Sequence, residues 1–215
     1  MLARSTKRSA TFFMPVFSAL ILWASAVTSL AIHNPFDQLK LDLSRYQDPW
    51  PVINSSLDLY LARATGLPQN ITCVRSRYWG YDETDETVHR SLNFLSNNGS
   101  SLNMSINVEY YGTPPPMNLT FLNVTFTITQ EKEMLPGVGP NHAYYLGEYT
   151  FLVLYGDRRC LLLASMLDKP GAPRCSLWFP KNRSGRPPAC CEFLFFILCG
   201  QGNKVYQPSC KRYES

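Results

Sequence analysis

Between residues 101 and 110 the chain alternates strictly. Leu102, Met104, Ile106, Val108 and Tyr110 share one side of an extended segment, and Ser101, Asn103, Ser105, Asn107 and Glu109 share the other. A period of two is that of a half-buried strand. Residues 119–129 repeat the pattern, with Leu122, Val124, Phe126 and Ile128 opposed to Asn123, Thr125 and Thr127. The stretch from Gly112 to Met117, with three consecutive prolines, breaks the two apart. Further strands are expected over 57–65, 71–79, 87–96, 146–155, 159–166 and 174–179. Gly156 and Asp157 lie between two apolar runs and read as a tight hairpin. About eight strands with short spacers predict an all-β barrel or sandwich.

Two segments follow a helical period instead. Residues 35–46 place Phe36, Leu39, Leu43 and Tyr46 on one side. Residues 188–199 open on Pro188, stop before Gly200 and are apolar between. Each is expected to pack outside the strands or to plug one end.

The start of the chain reads as a targeting segment. Arg4, Lys7 and Arg8 precede an apolar run from Phe12 to Val27, and small residues follow at Ser29 and Ala31. That order is a secretory signal peptide, with cleavage expected after Ala31 and Ala26 as the second choice. The apolar run is short for a membrane anchor. The expected organisation is therefore a signal over 1–31 and one domain over 32–215.

This changes the charge reading. The chain carries 20 basic and 16 acidic residues, and residues 1–31 hold three of the basic and none of the acidic ones. A mature chain with 17 against 16 has no electrostatic footprint for a nucleic acid.

In an oxidising compartment cysteines pair. All seven lie after the signal, at 73, 160, 175, 190, 191, 199 and 210, so three bridges leave one thiol. Metal binding is not expected, because no C-x-x-C occurs and His33, His89 and His142 lack ligand spacing. No G-x-S-x-G elbow, H-E-x-x-H or phosphate loop is present, so neither an enzyme nor a cofactor is expected. Seven N-x-S/T sequons, at Asn54, Asn70, Asn98, Asn103, Asn118, Asn123 and Asn182, predict a glycosylated extracellular protein.

The C-terminal half resembles a known family. The residues are Tyr155 through Cys160 to Leu163, Cys175-Ser-Leu-Trp178, Pro187 through Cys190 and Cys191 to Cys199-Gly200, and Val205-Tyr206 through Cys210. Ile71 through Val74, and Gln47-Asp48 with Trp50, resemble its N-terminal part. Their order and spacing are similar to the tick salivary lipocalins of the histamine-binding protein family. The resemblance implies an eight-stranded antiparallel lipocalin barrel with flanking N- and C-terminal helices and a ligand cavity. It implies bridges Cys73–Cys210, Cys160–Cys191 and Cys175–Cys199. Cys190 is then left over, although the choice between Cys190 and Cys191 is close. The implied protein is secreted, not membrane-bound, and a monomer, with Cys190 available for a dimer.

A glycosylated asparagine must face water. Sugar on Asn103 and Asn123 therefore turns Met104, Val124 and Phe126 inward. The family resemblance adds Tyr149, Phe151, Ser176 and Trp178 to the wall. These residues are expected to line a ligand site; the plain alternative is that they fill the barrel as core. Amine-binding members of the family carry acids at positions matching Leu161, Ser176 and Phe151. A buried ammonium needs such a carboxylate, so a biogenic amine is disfavoured as the small host mediator. A lipid such as a leukotriene or fatty acid is favoured. Arg90 shares the apolar parity of Val88, Leu92 and Phe94, which offers a cation to a ligand carboxylate. The alternative places it at the barrel mouth in solvent. The rival function is a barrel acting through its outer surface on host complement or clotting proteins.

Overall fold

The computed structural model describes residues 46–95, 100–112, 118–129, 143–165, 174–181 and 186–213. The expected helix over 35–46 lies outside them except for Tyr46, as do the signal segment and sequons Asn98 and Asn182.

The described residues form nine strands: β1 (Leu59–Ala64), β2 (Val74–Asp82), β3 (Thr87–Phe94), β4 (Ser100–Gly112), β5 (Asn118–Thr129), β6 (Ala143–Asp157), β7 (Cys160–Ser165), β8 (Arg174–Pro180) and β9 (Asn203–Lys204). β2 to β8 pair antiparallel in chain order, and β8 pairs with β1. β1 then pairs with β2 through Leu59–Ser76 and Tyr60–Arg75, which closes the barrel. The short β9 pairs with the second half of β1 at Arg63 and Ala64. Closure removes the exposed sheet edges that an open sheet would present.

The register follows the alternation. Met104 opposes Phe126, Ile106 opposes Val124, and Val108 opposes Leu122. Leu59, Val88, Met104, Ile106, Leu122, Val124, Val153, Leu161 and Leu163 form the inner core. The intervening residues face out, and Asn103 on β4 is exposed. The hairpin expected at Gly156 and Asp157 turns two residues later. Asp157 pairs with Cys160, so Arg158 and Arg159 make the turn and Gly156 is a strand residue. Asp157 Oδ1 accepts from the backbone N–H of both Arg159 (2.8 Å) and Cys160 (3.0 Å), which moves the turn there.

Among the described residues two α-helices flank the barrel. The short α1 (Trp50–Ile53) was not expected as a helix, and its Val52 and Ile53 pack into the inner core. The longer α2 (Ala189–Cys199) lies on the outside against β7 and β8. It buries Cys191, Phe195 and Leu198. The rings of Tyr60, Phe179 and Tyr206 pack together with centroids 5.3 to 6.0 Å apart.

The disulfides join Cys73 to Cys210, Cys160 to Cys191, and Cys175 to Cys199. This is the pairing that the resemblance implied, and Cys190 is free and exposed. Two bridges tie α2 to β7 and β8. The third ties the start of β2 to a C-terminal 3-10 helix (Pro208–Tyr213). Among the described residues no helix is long and apolar enough to cross a membrane.

The candidate ligand cavity

A cavity of about 310 Å³ lies inside the barrel. That is at the lower end of small-molecule sites. Its wall is built from the inward rows of the strands. Met104 and Ile106 come from β4, and Leu122, Val124 and Phe126 from β5. Phe151 comes from β6, Leu161 and Leu163 from β7, and Trp178 from β8.

Of the residues expected to line the site, Met104, Val124, Phe126, Phe151, Ser176, Trp178 and Arg90 do so. Tyr149 does not. It shares the parity of Phe151, but its ring lies over Gly147 and is 52% exposed. It meets Phe126 edge-on, with centroids 5.6 Å apart. Gly147 has no side chain to hold the ring inward, and Phe126 already fills the wall at that level.

Arg90 lies inside the barrel, only 1% exposed, at the end closed by α1. Neither of its expected roles fits this placement. Its Nη1 donates to the carbonyls of Ile53 and Ser55, both at 2.8 Å. Nη2 donates to the carbonyls of Leu57 (2.8 Å) and Ser76 (3.1 Å), and Nε donates to Ser76 Oγ (3.0 Å). A guanidinium has five N–H donors, so none is left for a ligand carboxylate. Burial pushes Arg90 down to about 10, with Asp58 and then Tyr78 opposing that shift. The side chain is therefore a cation at neutral pH, and it fastens the segment that closes the floor.

Further contacts latch that floor. Trp50 Nε1 donates to Tyr110 Oη at 2.9 Å, and Tyr78 Oη donates to Asn54 Oδ1 at 3.0 Å. The rings of Trp50 and Tyr81 meet edge-on at 5.8 Å. Sequence reasoning missed these partners. Parity alone places Arg90 inward, but three of its acceptors are backbone carbonyls more than thirty residues away, at Ile53, Ser55 and Leu57. The other two are the carbonyl and hydroxyl of Ser76 on the neighbouring strand.

The cavity contains no acidic residue among those described. The three positions where amine binders carry acids are Leu161, Ser176 and Phe151, and all three line it. Glu148 lies on the outward row of β6 and is exposed. Glu109 is on the outward row of β4 and accepts from Tyr111 Oη at 2.7 Å. The polar lining consists of Ser76 and Arg90 at the floor, and Thr65, Ser165, Arg174 and Ser176 toward the other end. Trp178 Nε1 donates to Ser176 Oγ at 3.1 Å. The chemistry on offer is apolar burial with a few neutral or cationic polar contacts. The set of metal-ligand type formed by Asp157, Cys160 and Cys191 consists of a disulfide and a carboxylate. That carboxylate already accepts from Tyr155 and Arg159.

A closed antiparallel barrel of eight principal strands, floored at one end and hollow inside, is a lipocalin. The profile of the tick histamine binding protein family matches residues 39–212. The chain belongs to that family, whose members are small-ligand binders. No curated protein sequence matches it. Among solved structures, Japanin from Rhipicephalus appendiculatus, in a structure bound to cholesterol, is 21% identical. The alignment covers 74% of this chain and 98% of that one, with a TM-score of 0.47.

Proposed function

We propose that this chain is a secreted, glycosylated salivary lipocalin that sequesters an apolar or anionic lipid mediator of the host. It would do so by burial, without chemistry, and so suppress host defence at the feeding site. One observation carries the reading: the cavity wall is apolar at Phe151 and Leu161 and neutral at Ser176. An amine buried there would lack a counter-charge, at a cost of several kcal/mol on the order expected for an unpaired buried ion. An apolar body gains about 25 cal/mol for each Å² of surface it buries. The ligand residues of this reading are Phe151, Trp178, Phe126, Val124 and Met104, with Ser176 as a polar contact.

Three disulfides fit an extracellular protein. Sequons at exposed Asn54, Asn70 and Asn103 are compatible with glycosylation. The test is native mass spectrometry with displacement calorimetry on the deglycosylated protein. The panel is histamine, serotonin, leukotrienes, arachidonic acid and cholesterol. Tight lipid binding with none of the amines is expected; tight histamine binding overturns the reading.

A second reading has its own observation. The outer face of α2 exposes Phe193 (63%), Phe196 (60%) and Ile197 (55%) beside the free Cys190. Such a patch suits a protein contact, as in a barrel that acts from its surface on a host protein. Retention of activity after the cavity is blocked would favour it. Sedimentation under non-reducing conditions separates a monomer from a Cys190-linked dimer.

A further inference from the structure

The polar part of the cavity lining is unevenly placed. Toward the end opposite α1, called the mouth below, β3, β5 and β6 present Phe94, Phe126 and Phe151. The rim formed by β1, β7 and β8 presents Thr65, Ser165, Arg174 and Ser176. Ser165 and Arg174 are directly paired across β7 and β8. They end the inward rows Leu161–Leu163–Ser165 and Trp178–Ser176–Arg174. Both rows run from apolar near the floor to polar at the mouth.

Two features mark this as a prepared head-group position. Ser165 Oγ is buried and has no hydrogen-bond partner among the described residues. A buried hydroxyl left unpaired costs about 1–3 kcal/mol, which a ligand oxygen would recover. Arg174 is exposed and has no ion-pair partner among the described residues. Its stem lies across Gly66, where an added Cβ would stand 3.1 Å from Arg174 Cδ and Nε. Gly66 also has φ +70°, so glycine serves both the turn and the close approach of the arginine.

The surrounding rim is fixed. Cys175 N donates to Thr65 Oγ1 at 2.7 Å, Asn203 Nδ2 donates to Leu67 O at 2.7 Å, and Cys175 is bridged to Cys199. By contrast, the inner cation Arg90 is already fully hydrogen-bonded. Among the described residues that line the cavity, the cation without an ion-pair partner or a full set of hydrogen bonds is therefore Arg174, at the mouth.

We infer that the cavity selects amphiphiles with one carboxylate head group, held at the mouth by Arg174 and Ser165, with the apolar tail directed toward the Arg90 floor. This rests on the cavity-binding reading above and names its ligand class. A guanidinium recognises a carboxylate by paired N–H donors, and Ser165 can donate a third hydrogen bond.

The test compares hexadecanoic acid with hexadecanol by quenching of Trp178 fluorescence at pH 7.4. The acid is expected to bind at least tenfold tighter, with the margin shrinking as salt is raised. Arg174→Gln should bring the acid-to-alcohol ratio near one, and Ser165→Ala should reduce it less. If the two bind equally to the native protein, the head-group inference is overturned while cavity binding stands. If neither binds, cavity binding falls and takes the inference with it. An Arg174→Gln protein that keeps the full acid preference would assign the head group elsewhere and also overturns it.

Discussion

Arg90 and Leu57 are joined by a 2.8 Å hydrogen bond from Nη2 to the carbonyl, across 33 residues of chain. With the carbonyls of Ile53 and Ser55, this makes one buried side chain the fastening for the whole segment after α1. Arg90→Met removes every donor and leaves those acceptors facing an apolar interior. The expected cost is on the order of 3 kcal/mol, read as a lower urea midpoint with unchanged slope. Arg90→Lys restores the charge but has three donors on a point charge, so it should recover only part. A loss below about 0.5 kcal/mol for the methionine variant would show that water replaces the guanidinium without penalty.

Gly156 is the second position where the N-terminal segment is held. A Cβ there would stand 2.5 Å from the carbonyl oxygen of Asp48. The contact is backbone, so no side chain can swing away. Gly156→Ala should therefore displace residues 47–49 and cost about 1–3 kcal/mol, despite the usual gain of alanine over glycine within a strand. Thermal melting checks the sign. A stabilised variant would mean that the Gln47–Gly156 bridge is not held in solution.

How far the molecule is legible from its sequence follows from the same residues. Alternation placed Met104, Val124 and Phe126 on the inner face, because a closed barrel with one wet side enforces a period of two. The cavity wall at Phe151, Ser176 and Trp178 came from the family resemblance. The role of Arg90 was hidden because four of its five acceptors are backbone carbonyls, which carry no residue identity. α1 was hidden because four residues are too few for a periodic signal. Tyr149 was also assigned to the wall by the resemblance, which fixes the strand position and face of a side chain but not its tilt, and its ring lies over Gly147 instead. The turn at Arg158 and Arg159 was displaced by two residues because aspartate capping, rather than glycine, decides it.

Asp157 gives the turn a pH signature. Burial acts to raise its pKa. The hydrogen bonds from Arg159 backbone and side chain, then Tyr155 and the Cys160 backbone, outweigh that and hold it below the usual carboxylate range. A folded pKa below the unfolded one stabilises the protein fully above about pH 4. That contribution is lost as pH falls through the lowered value. Asp157→Asn should cost about 1–2 kcal/mol at pH 7 and flatten the acid limb of the stability curve. Arg90 adds no slope between pH 5 and 8, since its folded pKa of about 10 lies above that window. A variant whose acid limb matches the native one would remove Asp157 from this role.

Cys190 should behave as one reactive thiol. It is exposed, and its sulfur is 3.9 Å from that of Cys191, which is bridged to Cys160. A thiol reagent under native conditions is expected to label one cysteine per chain. Cys190→Ser should abolish labelling with little change in melting temperature. Cys191→Ser should instead leave Cys160 without its native partner and cost about 2–5 kcal/mol. Equal effects of the two variants would show that Cys190 substitutes freely in the bridge.

Amine specificity can be tested by construction. Leu161 and Ser176 both face the cavity, and Leu161 is 2% exposed. Ser176→Asp places a carboxylate beside Trp178, whose Nε1 already donates to position 176. The empty variant should be less stable, because the new charge is desolvated without a cation. An amine supplies that cation, so histamine is expected to raise the melting temperature of this variant and not that of the native protein. Affinity should rise at least tenfold, equivalent to about 1.4 kcal/mol, and fall again as the carboxylate protonates below about pH 4. Leu161→Asp is the companion variant, since its side chain points into the same space from β7. If both variants fold and neither gains affinity for histamine over the native chain, then the missing carboxylates are not what keeps amines out. The lipid preference would then need another cause than the charge of the wall.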